Sequence, residues 1–436
     1  NTFKISSMKI VKLIALLFFL VRCSSPIDTI TIIEPVHNNN DSIVRTGLEV
    51  LIEDYPDYLK GKSIGLITNY PAVGSSKDIY TQLFQNNYNF KIRKLFSYDM
   101  EYFKGMAEAD QLISFDSIDI ELVSIKDTLL SLSTNLLDGL DIIALDIQDI
   151  GSRFNSKLHY VTSLIEIAGE GGVEFLILDR PNPISGMIIE GPIPPINMES
   201  SEKIFPIPTR HGLTVGEIAH LAFVNKWFSI SPTMTIVKMN KWRRNMFYDD
   251  TGLSWVPLEK NIPDLETAII YPGMCIYESS NISLGFGTKK PYKQIGAPWM
   301  DYDIAKEMKL LKMDGVQIKY AKFTPKIIIG HDEKPKHIGS LCLGKKIVIT
   351  DKKKFRSIDF GINSFFINFA LNIEKMRLDS KMLNMLFGSK DLFKLVRGEL
   401  KNKKGKLIRV PGGLFKKLQD DIDVFSKDVA LYYLYN

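Results

Sequence analysis

From residue 47 onward the apolar positions come in short continuous runs, each closed by a polar cluster. The runs span 63–68, 90–96, 120–124, 141–146 and 173–178, and helix-like spacing fills 78–85, 129–137 and 158–168 between them. An apolar run without polar alternation suits a strand buried on both faces. Such strands alternating with helices predict a mainly parallel sheet with helices on both sides. The expected fold class is therefore α/β, Rossmann-like in topology. No GxGxxG follows a strand, so no dinucleotide site is expected and no cofactor is implied.

The pattern changes after two Pro-rich stretches, 192–195 and 206–208. Thr214 with Glu217 three residues on reads as a capping box opening a helix to about Asn225. Beyond it come a strand-like stretch 234–238, a long irregular stretch 271–299 and a helix from Asp303. Strands near 317–323 and 346–350 follow, then helices near 361–371 and 414–427. This predicts a smaller α+β domain. The expected division is a leader at 1–22, a tether at 23–46, the α/β domain at 47–235 and the α+β domain at 236–436, closing a cleft.

The 436 residues are 45% apolar and 24% charged, ordinary globular composition. The formal charge is +5, but Lys4, Lys9, Lys12 and Arg22 all precede Cys23, where there are no acids. The rest is nearly neutral, which argues against a nucleic-acid partner. Met8 is followed by an apolar run at 13–21. That is too short to cross a bilayer of about 30 Å and suits the apolar centre of a signal peptide. Cys23, Ser24 and Ser25 come next. The segment resembles a bacterial lipoprotein signal in which Cys23 is lipidated, although Arg22 stands where a small residue is usual. The expectation is an exported envelope protein held to the membrane by a lipid anchor at most.

Candidate chemistry sits where the strands end, since α/β sheets bind ligands beyond the carboxyl ends of their strands. Asn69, Tyr98–Glu101, Asp146–Arg153 and Asp179–Asn182 lie there. Asp146, Gln148 and Asp149 suit a metal or a sugar hydroxyl, and equally a loop that caps its own backbone. In Asp179-Arg180-Pro181-Asn182-Pro183 two prolines stiffen a polar turn, for the fold or for a site wall. Arg210 and His211 precede a helix start, where anions are favoured. Glu278 lies among apolar and aromatic residues, a setting that suits a general acid. Three cysteines (Cys23, Cys275, Cys342) make no disulfide framework, and no Cys/His spacing suggests zinc. There is no HExxH, so zinc-peptidase chemistry has no support.

Taken in order, several motifs resemble the exo-β-N-acetylmuramidases of glycoside hydrolase family 171. They are Gly65-Leu66-Ile67-Thr68-Asn69, Asp146 to Phe154, Leu178 to Pro183, Glu190-Gly191-Pro192, Pro208 to Gly212, Tyr271-Pro272-Gly273, Gly296 to Trp299 and the ending Tyr432 to Tyr435. The resemblance implies cleavage of terminal N-acetylmuramic acid from peptidoglycan fragments, in a cleft between a Rossmann-like domain and a smaller one. It implies Glu278 with Asp99 or Glu101 as the carboxyl pair, which glycosidases place about the scissile bond. It implies Arg153 and Arg210 on the lactyl carboxylate, and Asn69, Asp146, His211 and Asn281 around the sugar. The family's Pro-Glu-His-Gly motif is altered here to Tyr98-Asp99-Met100-Glu101, with the His lost. The alternative is therefore a weakened or inactive member that binds amino-sugar fragments.

Overall fold

The computed structural model describes residues 29–36, 43–85, 87–110, 115, 119–128, 133–155, 158–195, 205–328, 334–399 and 410–436. Cys23 and the leader lie outside them. The first domain is built on seven strands: β1 (Ile30–Ile33), β2 (Ser63–Thr68), β3 (Lys91–Ser97), β4 (Glu121–Ser124), β5 (Ile142–Asp146), β6 (Glu174–Leu178) and β7 (Met234–Val237). Their order in the sheet is β1-β7-β6-β5-β2-β3-β4, and every pairing is parallel. Alternate residues feed two separate cores. Ile143, Leu145, Phe175 and Ile177 enter one, while Ile142, Ala144, Leu176 and Leu178 enter the other. Both faces are thus buried, which is why these strands read as unbroken apolar runs.

The second domain carries an antiparallel sheet of β8 (Gln294–Ala297), β9 (Val316–Phe323) and β10 (Cys342–Ile349), in the order β8-β10-β9. Its core is a third cluster, built largely on the helices Leu265–Met274 and Ser357–Leu371. These helices meet at two glycines. A Cβ on Gly273 would lie 1.7 Å from the Ser357 carbonyl oxygen, and one on Gly361 would lie 1.9 Å from that of Gly273. Any side chain there would force the helices apart.

Three expectations need correction. Ile30–Ile33, expected in the tether, adds an edge strand beside β7. The expected boundary at 235/236 falls inside β7, which belongs wholly to the first sheet. The stretch 271–299 is not one irregular loop. It holds the end of the helix Leu265–Met274, the 3-10 helix Cys275–Ser279 and β8. Of the helix expected at 129–137, a 3-10 turn at Thr134–Leu137 is described, and 129–132 lie outside the described residues. No described helix is long and apolar enough to cross a membrane.

After the helix Gly412–Val429 the chain returns to the first domain, where Val429, Leu434 and Tyr435 join one of its cores. The anchor is Asp179, which has no exposed surface. It accepts from Tyr435 Oη at 2.7 Å, Thr214 Oγ1 at 2.7 Å and Gly216 N at 2.8 Å. Glu217 accepts from Leu434 N at 3.0 Å and Arg244 Nη1 at 2.6 Å.

A second buried polar chain crosses the α+β core. Tyr277 Oη lies 2.6 Å from Ser364 Oγ and accepts from Asn368 Nδ2, while Ser364 accepts from the fully buried Lys345. Burial holds the Lys345 ammonium well below the ordinary lysine range.

Burial pushes the Asp179 carboxyl up to about 6, against its hydrogen bonds from Thr214, Tyr435 and Gly216. Between the unfolded value of about 3.9 and that value the folded state holds the extra proton, so this group's contribution is lost as pH rises through 6. Asp179→Asn should destabilise the protein by roughly 1–3 kcal/mol. It should also remove that pH 4–6 slope, as read by denaturant unfolding across pH. Lys345 has the opposite sign. Below about pH 10 the unfolded state binds its proton and the folded state resists it, so stability rises with pH. The same measurement on Lys345→Met should show that rise flattened.

Candidate active site

The strand order places the topological switch between β2 and β5, from which the chain proceeds outward in both directions. A ligand crevice is expected between their carboxyl ends. Here the crevice is stitched by Asn69. Its Nδ2 donates to Gln148 O at 3.0 Å, and its Oδ1 accepts from Gln148 N at 3.1 Å and Ala72 N at 3.2 Å. Below it Asp146 is fully buried and accepts from Arg180 Nη2 at 2.8 Å, from Arg180 Nε and from Tyr80 Oη at 2.6 Å. Asn69 and Asp146, expected around the sugar, are spent on the frame. Asp146 has no surface with which to touch a ligand.

Next along the sheet, Asp99 follows β3 and caps the helix Met100–Ala109, accepting from Tyr102 N at 3.0 Å. Its other oxygen lies 4.0 Å from Lys126 Nζ, and 37% of its side chain is exposed. Glu101 is exposed on the first turn of that helix.

On the other side of the switch, three segments are laced together. Ser152 bridges Arg210, Arg210 bridges Glu190, and Arg153 N donates to Thr209 O at 2.9 Å. This brings Arg153, Arg210 and His211 to one place. His211 Nδ1 accepts from Leu213 N at 3.1 Å, so the neutral ring carries its proton on Nε2, which lies 3.7 Å from Asp149 Oδ2. Both arginines are buried and short of acceptors. Arg210 Nη2 donates to Ile184 O, but its Nε and Nη1 have no hydrogen-bond partner among the described residues. Arg153 Nη2 reaches Thr209 Oγ1 at only 3.4 Å, its Nε has no such partner among them, and its guanidinium lies over the Phe154 ring at 4.5 Å. Burial pushes each down to about 10.

The second domain closes on this cluster through two carboxylates. Glu190, from the first domain, accepts from Ser357 Oγ and Ile358 N, both at 3.1 Å, at the N-terminus of the helix Ser357–Leu371. A carboxylate is favoured there by the helix dipole. Glu278 stands on the 3-10 helix Cys275–Ser279 and accepts from Tyr292 Oη at 2.6 Å. Tyr292 is held edge-on by Tyr271 at 5.0 Å and Phe286 at 5.1 Å. Lys336 caps the end of the turn by donating to Glu278 O at 3.0 Å and to the carbonyl of Ser280. The buried Cys275 thiol joins the halves. Burial and then Glu278 push its pKa up, while Arg153 pulls it down. Asn281 instead staples a loop, accepting from Arg377 N at 2.9 Å and donating to Lys375 O at 3.0 Å.

Arg153 thus lies at the domain boundary, packed against Gly388 of the second domain, with Arg210 and His211 on the adjoining segment. Asn69, Asp146 and Asn281 are structural in their contacts, and Asp99 and Glu101 stand at the rim of the sheet. Sequence reasoning assigned no role to Glu190 or Tyr292. Glu190 had a signal, the Glu190-Gly191-Pro192 motif. Tyr292 had none, because only the fold brings it to Glu278.

Comparison with known proteins agrees with this architecture. Residues 64–266 match the model described as exo-beta-N-acetylmuramidase NamZ, N-terminal, and residues 269–435 match its C-terminal counterpart. The peptidoglycan beta-N-acetylmuramidase NamZ of Bacillus subtilis (strain 168) is 37% identical over 324 residues, covering 73% of this chain and 76% of that one. A solved DUF1343 family protein from Bacteroides fragilis superposes with TM-score 0.78 at 26% identity, covering 91% of this chain and 100% of its own. A second from the same organism gives 0.68 at 24% identity, covering 90% and 99%, and shows the shared fold. With both domain models matched and a relative this similar, the chain belongs to the exo-beta-N-acetylmuramidase family.

Proposed function

We propose that the chain is an exported glycosidase that removes terminal N-acetylmuramic acid from peptidoglycan fragments. The observation that carries this reading is the buried Arg153, packed against Gly388 of the second domain, whose Nε has no acceptor among the described residues. A buried guanidinium short of acceptors is costly unless an anion completes it. Muramic acid differs from glucosamine by a lactyl carboxylate, which meets that need through charge-assisted hydrogen bonds. Glu278 is then the general acid at the glycosidic oxygen, with Tyr292 fixing its orientation. Burial holds the Tyr292 hydroxyl protonated, so it remains a donor. Asp99 is the second carboxylate, with Glu101 beside it, and domain closure brings the rim to the sugar. Arg210 and His211 support the carboxylate site, while Asn69, Asp146 and Asn281 hold its walls. Export rests on the leader and Cys23, and incorporation of labelled palmitate at Cys23 would establish the anchor.

The engagement of Asp99 as a helix cap favours the alternative, a member that binds muramic acid without cleaving it. Incubation with a chromogenic N-acetylmuramic acid glycoside separates the two. Glu278→Gln should lower turnover by at least ~100-fold with little change in binding, if it supplies the proton. Arg153→Ala should raise KM for the muramic substrate roughly tenfold or more, the worth of a charged hydrogen bond. It should leave binding of the glucosamine analogue unchanged, since that sugar has no carboxylate. Wild-type protein that binds the glycoside without releasing chromophore would establish the binding reading.

A further inference from the structure

A second void lies at the opposite end of the first sheet. It is a cavity of about 230 Å³ between the end of the helix Gly47–Asp54 and the segment leading into β3. Leu51 and Leu59 form part of its wall. Tyr88 and Phe90 lie nearly parallel, 5.4 Å apart and inclined by 13°, so two stacked rings line one side. Across from them, Tyr55 is fixed by its hydroxyl, which donates to Glu34 O at 2.6 Å. Asn87 and Asn89 add side-chain amides, and Asn89 Nδ2 is oriented by the Pro56 carbonyl at 3.1 Å.

No Asp, Glu, Lys, Arg or His is among the described residues that line the cavity. Nearby, Arg45 pairs with both Glu53 at 2.8 Å and Asp54 at 2.7 Å, and Asp57 with Lys60 at 3.4 Å. An anionic ligand therefore finds no counter-charge. A neutral ring with apolar C–H faces and amide or hydroxyl groups at its edge matches both kinds of wall. Pockets of this make-up, mostly apolar with a few placed polar groups, are the usual form of small-ligand sites. The volume admits a single pyranose, and the open mouth lets the rest of a chain extend into solvent.

We propose that this cavity is an accessory site for a neutral N-acetylhexosamine unit, distinct from the muramic site at the domain boundary. It rests on the glycan reading given above, and it deepens that reading. The carboxylate-bearing sugar of the polymer goes to the arginines, and the neutral sugar goes to the far end of the sheet. The site holds polymer near the enzyme without taking part in bond cleavage.

The probe is a trimer of β-1,4-linked N-acetylglucosamine, titrated calorimetrically into the full-length protein. Wild type should bind it weakly. Tyr88→Ala should weaken binding about fivefold or more, as loss of a stacked ring does, while Tyr88→Phe, which keeps the ring, should bind like wild type. Asn87→Glu, at an exposed position outside the core, should block the site by bulk and charge even if Tyr88→Ala folds poorly. Arg153→Ala should bind the trimer normally. Tyr88→Ala should still hydrolyse the chromogenic muramic glycoside at the wild-type rate, but should be retained less by insoluble peptidoglycan. No binding by wild type overturns the proposal, as does equal binding by Tyr88→Ala and Asn87→Glu, or loss in Arg153→Ala alone. Failure to hydrolyse the muramic glycoside would instead overturn the catalytic reading, leaving the trimer titration as an independent result.

Discussion

Two neighbouring residues, Asp179 and Arg180, hold this structure together by reaching in opposite directions from the end of β6. Neither has meaningful solvent exposure. Arg180 turns back over the sheet to Asp146 and to Ser75 Oγ at 2.9 Å, tying β5, β6 and the helix after β2. Asp179 turns outward to the helix Val215–Val224 and to the returning tail. Removing one partner of a buried ion pair costs about 3–5 kcal/mol, because the other charge is left stranded. The two prolines that follow keep the turn from relaxing to meet such a loss.

That clamp also decides where a ligand can approach. The crevice between β2 and β5, the expected binding point of an open α/β sheet, is closed by Asn69 and underlaid by the Asp146 pair. Guanidinium donors without acceptors among the described residues lie one step along, on Arg153 and Arg210, where the second domain leans across. The shift follows from hydrogen-bond accounting. Groups fully bonded inside the frame have nothing left for a substrate, and groups left short of acceptors do.

The alternation of buried strands and helices was legible because a parallel sheet covered on both faces leaves its central strands, β5 and β6, almost wholly apolar. The edge strand Ile30–Ile33 was not, since two of its four residues are exposed and its segment is polar. The helix Leu265–Met274 was hidden in part by Pro272 and Gly273, residues that read as turn. The glycine is there because Ser357 occupies the space of a side chain. At the site, residue type alone could not separate Asp146 from Glu278. An acid at a strand end looks the same whether it pairs with a buried arginine or faces a substrate. The deciding partners, Arg180 in one case and Tyr292 in the other, become neighbours only through the fold.

The return of the tail makes the two domains sequential in space but interleaved in time. Tyr435 binds Asp179 from 256 positions away, and Leu434 binds Glu217 from 217 away. During synthesis the first domain emerges without the residues that complete one of its two cores. The Asp179 carboxylate then lacks one donor and a covering ring until the last helix has been made. Its final packing step is a long-range closure, the slow kind. The α/β half, though first off the ribosome, is among the last parts of the molecule to become native.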